Sequence, residues 1–134
     1  MKKLTFRPIL VSLALSLSVP FMFGGCVAVL AAGAAGSAVA YVKGALTATL
    51  PDPLSEVQSA VKKVIRTDMK FTLISAKEDA AGAEYEARTA RDEKVVIQLD
   101  RDTDKTTKIS IRVGVFGDED VSRQILEAIK TRLS

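Results

Sequence analysis

The sequence predicts an α+β fold: a helix, a four-stranded antiparallel meander and a second helix in a two-layer sandwich, all within residues 50–134. Three observations predict it. Apolar residues recur at helical spacing in two stretches, one after Asp52-Pro53 and one at the end of the chain. Between them, four runs are rich in branched and aromatic residues or alternate apolar with polar residues, as strands with one buried and one wet face do. The connections between these runs are short, which favours hairpins between sequential neighbours over parallel crossovers.

The elements upstream of this unit come first in the chain. MKKLTFRP supplies a basic beginning, and residues 9–23, ILVSLALSLSVPFMF, supply an apolar run of the length expected of a secretory signal peptide. Export follows from that pairing. Phe23-Gly24-Gly25-Cys26 then places two residues without bulk before the chain's single cysteine, where an enzyme binding extended backbone closely meets no Cβ. This stretch resembles a bacterial lipobox, with Phe23 in the place where Leu is usual. The resemblance implies a signal peptide over residues 1–25, alkylation of the Cys26 thiol by a diacylglyceryl group, cleavage after Gly25 and acylation of the freed amine, for instance by palmitate. Two or more acyl chains hold a protein on a bilayer where one is marginal. The competing reading is a free, buried cysteine in an uncleaved membrane helix. Val27 stands where an aspartate would imply inner-membrane retention in such lipoproteins, so the resemblance implies the outer membrane, facing the periplasm.

Residues 26–49 are read as the acylated cysteine and a Gly/Ala-rich membrane-proximal segment. Its apolar part, residues 27–42, would cover roughly 24 Å as a helix, slightly short of a hydrocarbon core of about 30 Å. Ala32, Gly36, Ala40 and Gly44 recur at every fourth position, the small-residue row that permits close helix contact and self-association in a membrane. The same composition also suits a flexible tether, and both readings stand at this point.

Composition changes at residues 47–53, where the domain is expected to begin. Asp52 reads as an N-cap with Pro53 in the first helical position, opening a helix over 53–68 whose apolar positions are Leu54, Val57, Val61, Val64 and Ile65. Strands are expected at 70–77, 83–90, 94–101 and 106–115. In the third, Val95, Ile97 and Leu99 share a face. In the fourth, Ile109, Ile111, Val113 and Val115 share one face, with Lys108, Ser110 and Arg112 on the other. Asp118 caps a last helix over 119–133, with an apolar stripe of Val121, Ile125, Leu126, Ile129 and Leu133. Both helices are expected on the apolar side of the sheet, and residues 50–134 are expected to fold by themselves.

Three stretches taken together, Cys26-Val27-Ala28-Val29, Ala40-Tyr41-Val42-Lys43-Gly44 and IRVGVFGDEDVSRQIL over 111–126, resemble a family of short bacterial lipoproteins catalogued only as a domain of unknown function. The resemblance covers nearly all of the chain after Cys26. It implies no activity and no functional residue beyond the lipid-bearing Cys26. A glycine would be typical of the turn that here reads Ala90-Arg91-Asp92-Glu93.

Charge and composition bound the function. Three of the 19 Lys and Arg residues lie in the first seven positions, and the other 16 balance the 16 Asp and Glu. With 5% aromatic residues and no basic stripe, the chain lacks a nucleic-acid binder's footprint. One cysteine cannot form an internal disulfide, and with no His the chain has no Ser/His/Asp or Cys/His nucleophile pair. Asp100, Asp102 and Asp104 imitate the start of a calcium loop, but Lys105 and Ile111 stand where glycine and the bidentate glutamate are needed. Asp118, Glu119 and Asp120 suit the first turn of a helix better than paired acid/base work. Glu84, Glu86, Arg88, Lys108 and Arg112 are expected to form cross-strand pairs on the outer face. The expectation is a membrane-anchored envelope lipoprotein with a non-catalytic binding or structural role, no cofactor or metal, and an envelope protein as partner. Two alternatives remain: a metal-dependent or carboxylate-based periplasmic enzyme using Asp92, Asp100, Asp118 or Glu119, and a two-span membrane protein with an uncleaved first helix.

Overall fold

The computed structural model describes residues 38–134. Strands β1 (Ala40–Val42) and β2 (Ala45–Leu50) form a hairpin, followed by helix α1 (Leu54–Lys63). A π-helical turn over Val64–Asp68 extends the helix, closed by the Met69 N–H on the Val64 carbonyl at 2.9 Å. Strands β3 (Thr72–Glu78), β4 (Gly82–Arg88), β5 (Lys94–Arg101) and β6 (Thr107–Val113) come next, and helix α2 (Glu119–Leu133) ends the chain. All neighbouring strands are antiparallel, in the order β1-β2-β6-β5-β4-β3. The class is mixed α+β, and the sheet has six strands where the sequence led us to expect four.

The two additional strands correct the expected domain boundary at residue 50. Leu46, Ala48 and Leu50 alternate inward from β2 and are fully buried, while Thr47 and Thr49 face outward. β2 pairs with β6 from Leu46↔Ile111 to Leu50↔Thr107, so it lies inside the sheet and not before it. Burying each leucine is worth about 1.5–3 kcal/mol, which makes the hairpin part of the core. The Gly/Ala-rich segment therefore ends inside the folded domain. Ala40 lies in β1 opposite Thr47, and Gly44 lies in the β1–β2 turn at φ +80°, so these two members of the small-residue row stand in a strand and a turn and not on a helix. Lys43 and Gly44 both adopt positive φ, the two-residue turn that matches the twist of a hairpin. Cys26, Ala32, Gly36 and the signal-peptide region lie outside the described residues. Among the described residues no helix is long and apolar enough to cross a membrane.

One core fills the space between the helices and one face of the sheet. Leu54, Val57, Ala60, Val61, Val64 and Ile65 enter it from α1 and its extension, and Ile125, Leu126 and Ile129 from α2. Tyr85, Ala87, Val95, Ile97, Leu99, Ile109, Ile111 and Val113 enter it from β4, β5 and β6. Pro53 occupies the cap position and not the first helical position. Its carbonyl receives the Glu56 and Val57 N–H groups, and no side chain caps the helix. The buried Thr107 hydroxyl donates to the Asp52 carbonyl at 2.9 Å, tying the entry of α1 to the start of β6.

Polar ties close the margins of this core. The Tyr85 hydroxyl reaches Glu78 Oε1 at 2.5 Å, and Lys62 of α1 reaches the same oxygen at 2.8 Å. Those two donors, Lys62 first, hold the Glu78 carboxyl below its ordinary value, while burial and then Glu78 push the tyrosine hydroxyl up. Arg132 near the end of α2 grips both carboxylate oxygens of Asp68 through Nε and Nη2, at 2.9 and 2.5 Å, and this hydrogen bonding lowers the aspartate's pKa.

Candidate functional site

The site grows from the end of β6. Ile109, Ile111 and Val113 point inward as expected, but the alternation stops at Gly114, whose φ of +72° turns the chain away from the sheet. Val115, expected on the buried face, is 77% exposed as a result, and Phe116 is 91% exposed. Gly117, at φ +86°, then redirects the chain into α2. Asp118 caps that helix as expected, accepting from the Val121 N–H at 3.0 Å, and the Ser122 hydroxyl donates to its carbonyl at 2.6 Å.

Two backbones meet closely at this loop, with the Tyr41 hydroxyl beside them. A Cβ on Gly117 would lie 2.3 Å from the Gly44 carbonyl oxygen and 2.5 Å from the Tyr41 hydroxyl, and one on Gly44 would lie 2.6 Å from the Phe116 carbonyl oxygen. Arg112 ties the segments together from the outer face: one guanidinium nitrogen donates to the Val115 carbonyl at 2.5 Å, another to the Lys43 carbonyl at 3.4 Å. The β1–β2 turn and the 114–117 loop thus form one fixed tip at one end of the sheet, presenting Val42, Lys43, Arg112, Val115 and Phe116. Val42 is 51% exposed.

Between this tip and the β4–β5 turn lies an open groove of about 800 Å³, lined by Arg88, Asp92, Lys94, Val96, Arg112 and Phe116 among others. Asp92 adopts φ +62°, taking the left-handed position where a glycine would be typical, a conformation that Asp tolerates better than most residues. Its carboxylate pairs with Arg88 at 3.1 Å. Lys94 pairs with Glu86, also at 3.1 Å. Arg112 has no ion-pair partner among the described residues and bonds to backbone carbonyls instead, so the cation at the tip is not neutralised.

The other residues singled out in the sequence do not converge on this groove. Glu84 takes Gln98 at 3.0 Å and Lys77 at 3.8 Å. Asp100 sits opposite Lys108 in the β5–β6 ladder, Asp102 accepts the Thr106 hydroxyl at 3.1 Å, and Asp104 lies 3.7 Å from Arg101. Glu119 accepts Arg123 at 2.6 Å. The acidic side chains named for metal or acid/base work thus lie in three separate places, the β4–β5 turn, the end of β5 with the β5–β6 connection, and the start of α2. The tip itself escaped the sequence reading because Val115 fitted the strand's period. The signal that could have revealed it is GVFG, two glycines bracketing a Val-Phe pair.

The sequence matches, over residues 8–132, the family described as "Protein of unknown function (DUF3568)". No curated protein matches it.

Proposed function

We propose that this chain, which belongs to the DUF3568 family, is an exported bacterial lipoprotein, held in the cell envelope by acylated Cys26, whose domain acts by binding or structural interaction. The observation that carries the binding half is the tip, where Val115 and Phe116 stand exposed on a loop held by glycine contacts and by Arg112. Large apolar side chains presented on a fixed loop beside an unneutralised cation are costly unless something covers them, and such patches mark interaction sites. The anchoring half rests on residues 1–26: the basic start, the apolar run and the small residues before Cys26. The family match supports reading both halves together, because it runs through the apolar stretch and the domain alike. Outer-membrane placement facing the periplasm follows from Val27 by the same resemblance.

The experiment is metabolic labelling with a fatty acid in cells expressing the parent and Cys26→Ser. The parent is expected to incorporate label and to run at its processed mass, while the variant incorporates none and accumulates as a larger precursor. Normal processing of the variant would end the lipoprotein reading.

A further inference from the structure

We propose that the Val115-Phe116 loop inserts into the surface of the bilayer that carries the anchored chain, making the domain a membrane-docked unit and not one swinging freely on its tether. The inference rests on the anchoring reading given above. Four large apolar side chains are well exposed among the described residues, and three of them, Val42, Val115 and Phe116, share the tip, while Ile74 lies on the opposite edge of the sheet at 56% exposure. The clustering needs a cause that scattered exposure would not.

A lipid surface fits the chemistry of this tip. Phe116 and Val115 supply the apolar part, while Lys43 and Arg112, without ion-pair partners among the described residues, stand beside them where phosphate headgroups would lie. Aromatic and aliphatic groups combined with Arg and Lys make the usual interfacial composition. The limits of the insert are also set. Asp118 and Asp120 open α2 directly after Gly117 and are exposed, which keeps the helix start in water and restricts entry to the loop. Because the glycine contacts and the Arg112 bonds already hold the loop, insertion orders little backbone.

The tether decides between this occupant and a second protein. Ala38 lies 12 residues beyond Cys26, a span of at most about 40 Å in extended chain, so the bilayer is the surface the tip meets at the highest effective concentration. A weak contact is enough there. A second copy would need a far larger match: three side chains offer a few hundred Å², against about 1,200–2,000 Å² for a stable interface.

The chain contains no Trp, so Phe116→Trp introduces a single reporter at a position whose side chain touches little of the core. The full chain carrying Phe116→Trp, and separately Ile74→Trp, is reconstituted into vesicles of phosphatidylethanolamine and phosphatidylglycerol with or without bromine on the acyl chains. Flotation is scored alongside emission. The expected result is that both variants float, that Phe116→Trp emits to the blue and loses most of its intensity to bromine, and that Ile74→Trp does neither. Flotation with unquenched Phe116→Trp emission overturns loop insertion and leaves the anchor standing. Failure to float removes the anchoring reading and the insertion with it. A blue shift that grows with protein density but is indifferent to bromine assigns the tip to a second copy and also overturns the proposal.

Discussion

Gly117 has room for a hydrogen and nothing larger, and this one position joins the hairpin at the start of the domain to the entry of its last helix. A side chain there meets two costs: the left-handed φ, about 1–2 kcal/mol for an L-residue, and a collision with the Gly44 carbonyl. Gly114 separates the two, because it has the same backbone sign and nothing within 4 Å of where a Cβ would stand. Gly114→Ala is therefore expected to lower stability by about 1–2 kcal/mol and Gly117→Ala by distinctly more, read by thermal unfolding of the full chain. Equal losses would show that the loop relaxes at no cost and that the tip is not held as described. Asp92 illustrates the opposite case, an ordinary residue in a left-handed position, tolerated because Arg88 and the backbone and hydroxyl of Thr89 hold the turn.

At the scale of elements, legibility followed side-chain character. The helices could be read because Leu, Val and Ile at helical spacing leave few alternatives, and all five apolar positions expected in α1 and its extension are buried. Val95, Ile97 and Leu99 of β5 were legible for the same reason at period two. The β1–β2 hairpin was not, since Ala, Gly and Thr carry little periodic signal and a small-residue row fits a helix as well as a strand. Within β2 only Leu46 and Leu50, four apart, are large enough to mark a face, and that spacing is common to both structures. At the site, the alternation puts Arg112 on the sheet's outer face, but the cross-strand pairing rule does not find its partners, because it serves the Lys43 and Val115 backbone carbonyls, a role no spacing rule announces. The hairpin carries its own prediction. Residues 38–134 are expected to unfold cooperatively in denaturant, whereas residues 50–134, deprived of buried Leu46 and Ala48 and leaving β6 as an unpaired edge, are expected to show no cooperative transition. Cooperative folding of the shorter piece would show that β2 decorates the core without completing it.

Across the whole molecule, the topology brings chain entry and tip together. β1 and β2 lead in, α1 carries the chain across the sheet to β3 at the far edge, and the strands return one by one until β6 lies against β2. The 114–117 loop then emerges beside the β1–β2 turn only because of that return. A domain built this way presents its exposed apolar groups near the start of the folded unit, close to the tether proposed to hold it. The charge balance agrees with a contact that is local: outside the first seven residues, bases and acids are equal in number, so no general field draws the domain to an anionic surface. The anchoring, and the membrane docking that rests on it, depend on the chain beginning, in its mature form, at an acylated cysteine. Intact mass measurement of the protein extracted from membranes tests this directly. The result expected is a chain of residues 26–134 heavier than its sequence by the diacylglyceryl and amide-linked acyl groups. A mass equal to all 134 residues without addition would contradict it.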